Sequence, residues 1–552
     1  MTTVDPSEPD LTGICPLTTD AALRRAATVV PGVEAVVNAD ERVTYAALAE
    51  QVAVLRSALH HAGVERGDHI GLCLGNGPRW VALFLAITSL GAVTVPVNTR
   101  FKAPELEYAL RQSDVKLLFV AEKVLSSAFV AMLREICPAV DKELPDPNLP
   151  RLARVVVIGE DVPEGALSWD EFATGAGEPV EPSAQPDDIA LVQYTSGTTS
   201  FPKGVLLTHR NMCADAFFSG TRLGLRAGDR FYSGRPFFHV AGTTLSILAC
   251  LQQLSTLVTA ERFVPETALR LLAEERCTHF AGNDTIALML LNHPDRARYR
   301  LSLRGAWLAA SPTVVRRVID ELGAAEAVVG YGLSEASPNV AQSAWWEDEE
   351  LRVDGSMPPE PGVSVRIRDL VTGDDAERGQ PGEIRVRGWN VMRGYYAMPE
   401  QTAAVLDADG WLSTGDLGVL RADGRLLFTG RAKELIRVGG ENVAPTEVEA
   451  VLHRHPAIRQ AAVVGVPDER LVEVPFAFVV LNDGAAPEPG ELIEWCRGEM
   501  AGFKVPRHLR IVGGFEGIGM TASAKIQKNQ LAEHAVRLLN EHILNEQSLD
   551  GR

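Results

Sequence analysis

The chain has 552 residues, of which 46% are hydrophobic and 23% are charged. This length favours at least two domains, and the composition is that of a globular protein with a large interior. The formal net charge of -19, from 53 basic and 72 acidic residues, argues against a general surface for nucleic acid or anionic membrane, because both polyanions would be repelled. A polyanionic ligand must therefore meet locally placed cations and backbone N–H groups.

The cysteines and the N-terminus indicate a cytoplasmic setting. The seven cysteines are scattered, odd in number and form no C-x-x-C pair, which favours a reducing compartment. The N-terminus carries acidic residues before any apolar run, so it lacks the order of a secretory signal. The most membrane-like stretch, 81–97, contains Thr88, Ser89, Gly91 and Pro96. It is predicted to be a buried helix followed by a strand, with no integral membrane segment.

In chain order, the first half alternates helical and strand patterns. Apolar residues recur at three- and four-residue spacing over 44–63, which predicts a helix. Short β-branched runs predict strands at 69–75, 92–97 and 115–120. A Pro/Glu/Gly-rich surface crossing at 177–188 precedes a further predicted strand at 189–195. The alternation predicts α/β layering.

After residue 350 the pattern changes to short strands with turn signals. The first three predicted strands are 362–369, 382–388 and 424–430. A last segment then predicts a small α+β unit, with helices at 444–456 and 490–500 and strands at 458–467 and 473–481. The candidate junction is 430–433, where a predicted strand ends and charged residues lie on a turn.

A loop rich in Ser, Thr and Gly follows the strand 189–195 directly. Its hydroxyl groups can surround phosphate oxygens, its glycine permits unusual backbone angles, and its lysine adds a positive charge. It is not a Walker A loop, because Gly-Lys-[Ser/Thr] is missing. Taken alone, such a loop is also compatible with a plain turn. The candidate phosphate-binding residues are Thr195, Ser196, Gly197, Thr198, Thr199 and Lys203.

This loop resembles the signature of the adenylate-forming superfamily of acyl-CoA synthetases, luciferases and nonribosomal-peptide adenylation domains. Ser200 replaces the usual glycine. Further motifs follow in the family's order, and the chain looks closest to fatty or aryl acyl-CoA ligases. The resemblance implies an α/β fold with a large N-terminal adenylate-forming domain of layered sheets and helices at 1–430. It also implies a small mobile α+β C-terminal domain at 431–552, which carries a catalytic lysine.

Three motifs of the large domain imply residues around the nucleotide. The segment 236–242 implies that His239 lies between the nucleotide and acyl sites, although an isolated histidine of this kind is more often simply packed. The segment 308–312 implies an adenine-lining turn with Ala310 and Ser311, in which Ala309 and Ala310 replace the usual glycines. The segment 330–335 implies that Tyr331 stacks on adenine, with Gly332 beside it. It also implies that Ser334 lies near the α-phosphate and that Glu335 holds Mg²⁺ together with Thr198.

Three later motifs imply the ribose, hinge and lysine residues. Asp416 resembles the acid that holds the ribose hydroxyls, and Arg431 would reach the ribose or phosphate. Lys433 resembles the hinge, and Lys525 resembles the catalytic lysine, with Ala524 in place of a glycine. Without the other motifs, Asp416 would be a turn aspartate and Lys525 a solvated charge. The thiol-carrying arm of coenzyme A would pass a cationic and glycine-rich strand end at Arg437, Gly439 and Gly440.

The resemblance implies that ATP activates a carboxylic acid as acyl-AMP, releasing pyrophosphate, before coenzyme A accepts the acyl group. No aspartate stands near His239 to bind an ammonium group, so an α-amino acid is disfavoured and a fatty or aryl acid is expected. A carrier protein or nitrite are alternative acceptors or partners, and a non-enzymatic nucleotide sensor is the least favoured reading. No nucleic acid is expected, and assembly is open between monomer and homodimer. Candidate pocket residues are Phe238, Val240, Ala241, Phe280, Asn283, Trp307, Ala336 and Ser337.

Overall fold

The computed structural model describes residues 11–175, 177–195, 202–439, 441–468, 470–521 and 525–549. Hydroxyl caps start several of its helices: Thr44 accepts a hydrogen bond from the Ala47 N–H, and Thr208 accepts one from the Asn211 N–H. The α-helices are Thr19–Val29, Tyr45–His61, Pro78–Ser89, Ala103–Gln112, Phe129–Ile136, Trp169–Thr174, His209–Leu223, Val240–Gly242, Ala249–Gln253, Pro265–Glu274, Asp284–Leu291, Pro312–Leu322, Glu349–Val353, Pro399–Ala403, Pro445–Leu452, Pro489–Glu499, Glu516–Gly519 and Lys528–Leu549.

The first large sheet is parallel through its middle and has an antiparallel strand at each edge. Its strands in spatial order are Asn339–Gln342, Val328–Gly332, Gly305–Ala309, His279–Asn283, Arg230–Ser233, Thr256–Thr259, Glu34–Val37 and Arg42–Thr44. The middle strands are buried on both faces by helices, as parallel strands normally are. Loops at the carboxyl ends of these strands carry several of the predicted site residues.

The second large sheet is parallel over six of its strands and antiparallel at one edge, which Gly204–Thr208 and Gly394–Tyr395 form. Its strands in spatial order are Gly394–Tyr395, Gly204–Thr208, Ile189–Tyr194, Val93–Pro96, His69–Cys73, Leu117–Ala121, Arg154–Ile158 and Leu167–Ser168. One hydrophobic cluster joins both large sheets with the helices 45–61, 78–89 and 209–223. A second cluster covers the other face of the second sheet, where helices 103–112 and 129–136 pack.

Three smaller sheets complete the described part of the chain, and one of them is the two-stranded antiparallel pair Lys123–Val124 and Ser127–Ala128. The third is antiparallel, with the strands Ser356–Met357, Leu426–Arg431, Leu412–Leu420, Pro381–Gly388 and Val363–Arg368. The fourth contains Glu441–Val443, Ile436–Val438, Val472–Leu481 and Ile458–Asp468, with His508–Ile511 paired parallel to Val472–Leu481. Helices 445–452 and 489–499 pack on one face of the fourth sheet, and helix 528–549 packs on the other. A 3-10 turn, Ala432–Glu434, connects the third and fourth sheets.

The predicted elements are confirmed to within a few residues. The stretch at 81–97 is a buried helix, Pro78–Ser89, followed by the strand Val93–Pro96. Within the described residues, no helix combines the length and apolar character needed to cross a bilayer. The overall architecture is the predicted α/β one, with layered sheets and helices and a small α+β unit at the C-terminal end.

Candidate active site

A buried carboxylate, Asp416, lies where the third sheet meets the first. Asp416 is 4% exposed, and the antiparallel register of the third sheet sets it directly opposite Arg431. One carboxylate oxygen accepts a hydrogen bond from the Tyr331 hydroxyl at 2.9 Å, and the other lies 3.2 Å from the Arg431 Nε. Burial raises the pKa of Asp416, while Arg431 and the tyrosine hydroxyl oppose that rise. Three residues that were predicted to bind the nucleotide are therefore joined by one hydrogen bond and one ion pair.

The Tyr331 ring is already stacked on one side. Its centroid lies 5.3 Å from that of Phe428, and the two planes are 22° apart. Such a stack fixes the ring in place. An adenine could stack only on the face of Tyr331 that Phe428 leaves free. Gly332 follows, and a Cβ there would lie 1.9 Å from the Pro338 carbonyl oxygen. Only glycine fits this close backbone approach.

A second group links the phosphate-loop lysine to Glu335. The Lys203 Nζ lies 4.7 Å from the centroid of the Tyr395 ring, and the Tyr395 hydroxyl donates to a Glu335 carboxylate oxygen at 2.9 Å. Glu335 belongs to the 3-10 turn Ser334–Ala336, which begins at the predicted α-phosphate residue. Thr195, at the other end of the loop, donates its backbone N–H to the Lys203 carbonyl at 3.0 Å. The loop base, Tyr395 and Glu335 are thus adjacent.

Lys525 comes from the C-terminal unit and lies within electrostatic range of Asp416 and Arg431. It has solvent access, yet surrounding protein lowers its pKa to about 8 through desolvation, and the positive charge of Arg431 adds to the effect. Glu434 and Asp416 oppose the decrease in pKa. Two hydrogen bonds join the two units: Arg100 donates to the Met520 carbonyl at 3.2 Å, and Thr446 donates to the Thr429 carbonyl at 2.8 Å. The fold therefore brings Lys525 into the same electrostatic neighbourhood as Asp416 and Arg431.

His239 lies close to Lys525. The pKa of His239 is lowered to about 4, first by desolvation, although part of the residue contacts solvent, and then by the charges of Lys525 and Arg235. Its Nδ1 accepts the Ala241 backbone N–H at 3.2 Å. The imidazole is therefore neutral at physiological pH and carries its proton on Nε2. That nitrogen can donate one hydrogen bond to a substrate oxygen.

The predicted pocket residues do not all face the same way. In the parallel register, Trp307 pairs with Ala281 and Phe280 pairs with Ala306, so Trp307 and Phe280 lie on opposite faces of the first sheet. Both side chains are buried in the main core, and they project from opposite faces of the sheet. Asn283 caps the helix Asp284–Leu291 through the Ile286 N–H.

The remaining pocket candidates surround His239 or follow Glu335. Val240 and Ala336 are buried, whereas Phe238 and Ala241 are half-buried. Ser337 is fully buried, with a positive φ of 75°, and its hydroxyl donates to the Asn390 carbonyl at 2.7 Å. Its hydroxyl already has an acceptor within the protein, so it is less free to meet a substrate than the sequence implies.

The adenine turn and the hinge are ordered by contacts inside the protein. The Ser311 N–H and hydroxyl both donate to one Asp284 oxygen at 2.9 Å, next to the half-buried Ala310. Lys433 lies in the turn Ala432–Glu434, where partial burial and Arg431 lower its pKa.

The predicted thiol channel starts on the next strand. Arg437 is exposed on Ile436–Val438, and Gly439 turns with φ 65° while its N–H donates to the Leu471 carbonyl at 2.7 Å. A Cβ at Gly439 would lie 3.1 Å from the Leu471 Cδ2. Predictions that lie outside the described residues are those on Ser196, Gly197, Thr198, Thr199, Ser200, Gly440 and Ala524.

The donor set fits a magnesium ion shared with phosphates rather than a metal held by protein alone. No group of three or more His, Cys, Asp or Glu side chains in the described ranges could hold a metal ion. Mg²⁺ commonly takes one or two carboxylates and completes its coordination with phosphate oxygens and water. Glu335, half-buried and oriented by Tyr395, supplies one such carboxylate.

Several residues of the site have no counterpart in the sequence predictions. Tyr395 orients Glu335, and Asp284 holds Ser311. Gln193 donates to the Phe238 carbonyl at 2.9 Å and so connects the strand before the phosphate loop with the His239 segment. No motif in the sequence indicates these contacts, because each joins residues far apart in the chain.

Arg431 of the hinge region pairs with Asp416 where the large α/β unit meets the small α+β unit. The protein is an AMP-forming ligase. The chain belongs to the AMP-binding enzyme family: the model of that family matches residues 23–396, and the model of the AMP-binding enzyme C-terminal domain matches residues 447–525. It is an acid–thiol ligase that uses ATP, Mg²⁺ and coenzyme A, as the sequence resemblance predicts.

Three relatives illustrate the similarity. A methyl-dioxo-octahydroindenyl propanoyl:CoA ligase of Rhodococcus jostii (strain RHA1) is 35% identical, over 94% of this chain and 99% of the relative. The mitochondrial medium-chain acyl-CoA ligase ACSF2 of Homo sapiens is 33% identical, over 95% and 88%. The crystal structure of the anthranilate CoA ligase AuaEII with anthranoyl-AMP superposes with a TM-score of 0.84 at 27% identity, over 94% of this chain and 98% of that one.

Proposed function

We propose that this ligase activates a fatty or aryl carboxylic acid, with Lys525, Asp416 and Arg431 around the nucleotide. The observation that carries the proposal is the buried Asp416 carboxylate paired with Arg431 and hydrogen-bonded to Tyr331, with Lys525 close enough for Arg431 and Asp416 to shift its pKa. Asp416 would accept the ribose hydroxyls, and Tyr331 would stack on adenine with the ring face that Phe428 leaves free. Ala310, Ser311 and Gly332 would line the base.

In the first step, a carboxylate oxygen of the acid attacks the α-phosphorus of ATP. A new P–O bond forms while the bond to the β-phosphate bridging oxygen breaks, and pyrophosphate leaves with the electron pair. Negative charge shifts across the phosphoryl oxygens, so positioned cations assist more than a general base does. Lys525 would contact the α-phosphate and the attacking carboxylate, while Ser334 contacts the same phosphate. Bound Mg²⁺ would neutralise part of the phosphate charge.

The pyrophosphate would leave past the loop that begins at Thr195 and ends near Lys203. The Lys203 ammonium, held over the Tyr395 ring, is a cation at the base of that loop. Glu335, oriented by the same tyrosine, would hold Mg²⁺ together with Thr198. Tyr395 therefore couples the phosphate-binding cation to the metal-binding carboxylate.

In the second step, the thiol loses its proton to solvent and attacks the acyl carbon; a C–S bond forms, the bond from the acyl carbon to the phosphate oxygen breaks, and AMP leaves with the electron pair. We assign the large domain to 1–430 and the cap domain to 431–552, with Lys433 as the hinge. Rotation about that hinge would remove Lys525 and present Arg437, Gly439 and Gly440 to the incoming thiol. The positive φ of Gly439 and the close Leu471 side chain favour glycine there, which keeps the backbone open to the thiol.

The acid would lie beyond His239, along the face of Trp307. The relatives act on a fused-ring propanoate, on medium-chain acids and on anthranilate, which supports a fatty or aryl acid here. His239 Nε2 would donate to the acid's carbonyl oxygen, since Nδ1 is already an acceptor. All seven cysteines are free and buried, which supports the cytoplasm as the compartment.

The test is pyrophosphate release with ATP, Mg²⁺ and a panel of fatty and aryl acids, followed by thioester detection with coenzyme A. A carrier protein and nitrite serve as separate arms, and size-exclusion chromatography distinguishes monomer from homodimer. Release that depends on the acid and is lost in Lys525→Ala supports the proposal. Release at the wild-type rate in Lys525→Ala contradicts the role of that lysine, and no release with any acid contradicts acid activation.

A further inference from the structure

One buried arginine lies beneath the His239 segment and takes no part in the chemistry assigned so far. Arg235 follows the strand Arg230–Ser233 by two residues and is 8% exposed. Its guanidinium carbon lies 4.3 Å from the centroid of the Trp307 ring. The Asn76 side chain fixes this segment, because it donates to the Arg235 carbonyl at 2.9 Å and accepts the Phe237 N–H at 2.8 Å.

The Arg235 guanidinium has no acceptor among the described residues. Its Nη1 is fully buried without a hydrogen-bond partner, and no described Asp or Glu lies within ion-pair distance of it. Burial lowers the pKa of Arg235 to about 9, which still leaves the side chain charged at neutral pH. A buried charge without a counter-charge is costly, so proteins rarely keep one without a use for it.

The other three buried arginines of the described chain each have at least one acceptor for the guanidinium, although the Arg385 Nε is buried without a partner. Arg352 donates to the Ala327 and Glu347 carbonyls, and Arg385 pairs with Asp407 at 2.7 Å. Arg425 pairs with Glu347 and donates to the Ser356 carbonyl. Arg235 differs from these three because none of its guanidinium nitrogens has an acceptor among the described residues. Burial of an arginine in this fold therefore does not by itself remove every partner.

The surroundings of Arg235 hold it rigidly next to the predicted acyl pocket. The Trp307 indole N–H donates to Gln342 at 2.9 Å, which fixes the ring on which the guanidinium stacks. Gly330 makes room for that ring, since a Cβ there would lie 2.5 Å from it. On the other side, Arg235 is close enough to His239 to lower the histidine pKa. The guanidinium therefore lies near His239 and stacks on the ring of Trp307, a candidate wall of the acyl pocket.

We propose that Arg235 binds a second anionic oxygen group of the acid substrate, separate from the carboxylate that is adenylated. The substrate class is thus an acid with a further carboxylate or similar anion at its far end. A neutral acceptor would satisfy the N–H groups but leave the charge uncompensated, whereas a carboxylate does both. The reacting carboxylate is less suited to this position, because Lys525 already supplies a cation at the reaction centre. The inference rests on the proposed function of the site.

The test compares matched acids in the pyrophosphate-release assay. Glutarate, adipate, suberate and terephthalate are each paired with their monomethyl ester, which removes one charge and keeps the shape. For the best-fitting pair, wild-type enzyme is expected to show a kcat/KM about 10- to 100-fold higher for the diacid, as for loss of a charged hydrogen-bond pair. Arg235→Met is expected to lose that preference and retain activity with the half-ester. Arg235→Lys is expected to keep part of it.

Thermal stability separates this role from a structural one. Arg235→Met removes an uncompensated buried charge, so without substrate it is expected to melt at or above the wild-type temperature. Arg425→Met, the matched control at a buried and paired arginine, is expected to melt lower. The diacid should raise the melting temperature of the wild type and not that of Arg235→Met.

Three results would overturn the inference. The first is a wild type that uses every half-ester at least as well as its diacid, while still releasing pyrophosphate. The second is an Arg235→Met enzyme that loses activity equally on both members of each pair, which would assign Arg235 to the reacting carboxylate. The third is an Arg235→Met protein destabilised as much as Arg425→Met. Absence of pyrophosphate with all acids would instead contradict the proposed function on which the inference rests.

Discussion

Replacing Tyr331 with phenylalanine removes one hydroxyl and tests the role of Asp416. The hydroxyl donates to the buried Asp416 carboxylate at 2.9 Å, while the ring stacks on Phe428. Phenylalanine keeps the stack, so the change removes only the hydrogen bond. A hydrogen bond to a charged group contributes about 1.5–3 kcal/mol. At 1.36 kcal/mol per factor of ten, kcat/KM for ATP is expected to fall roughly 10- to 150-fold.

The same substitution shifts the pH dependence in a defined direction. Burial raises the pKa of Asp416, and the Tyr331 hydrogen bond and Arg431 oppose that rise. The ribose-binding role needs the ionised carboxylate, so activity is lost as the pH falls through its pKa. Without the hydroxyl the pKa of Asp416 rises further, and the acidic limb of kcat/KM moves to higher pH.

The assay is pyrophosphate release at limiting ATP, measured between about pH 5 and pH 8. Tyr45→Phe is the matched control: its buried hydroxyl donates to the Ser255 carbonyl at 2.6 Å, far from the site in the sequence and in a different hydrogen-bond group. We expect Tyr45→Phe to lose stability and to retain both kcat/KM and the position of the acidic limb. A Tyr331→Phe enzyme with wild-type kcat/KM and an unmoved acidic limb would refute the reasoning.

Three further outcomes are expected. Lys525→Ala should slow pyrophosphate release by about 10²–10³-fold. In the wild type, the rate should decline as the pH rises through about 8, because Lys525 loses its proton there. Lys525→Arg should abolish that decline, because arginine keeps its charge. Tyr395→Phe should raise the Mg²⁺ concentration needed for half-maximal rate, because Glu335 loses its 2.9 Å hydrogen bond; an unchanged Mg²⁺ titration contradicts this. Gly439→Ala, strained by about 1–2 kcal/mol at φ 65°, should slow thioester formation and leave pyrophosphate release unaffected; equal slowing of both steps contradicts this.

The sequence was sufficient to predict the elements, since their hydrophobic periods and turn residues are local properties. It also marked Asp416 and Arg431 by motif. Their direct pairing depends on the register between two antiparallel strands, which no local pattern specifies. The Tyr331 hydroxyl reaches Asp416 from a different sheet, so that bond depends on how two sheets pack. Geometry of this kind is a property of the tertiary structure alone.

The sequence could not show which face of the sheet each pocket residue occupies, and the reason is physical. Strands in the middle of a parallel sheet are buried on both faces and are hydrophobic throughout, so alternation does not reveal which face a residue occupies. Phe280 and Trp307 therefore look equivalent in sequence, yet the register puts them on opposite faces. Arg235 was missed because nothing in the sequence distinguishes a paired buried arginine from an unpaired one. Tyr395 was missed because its role depends on a two-residue strand at a sheet edge.

The cross-strand ion pair between Asp416 and Arg431 bears on how efficiently ATP is used. Arg431 is the last residue of its strand, and the proposed pivot at Lys433 follows two residues later. A rotation at Lys433 would leave Arg431 in register with Asp416, so the proposed contacts to the nucleotide end of acyl-AMP would persist while the lysine departs. The reactive mixed anhydride would then stay bound between the two steps, and less ATP would be lost to hydrolysis of that intermediate.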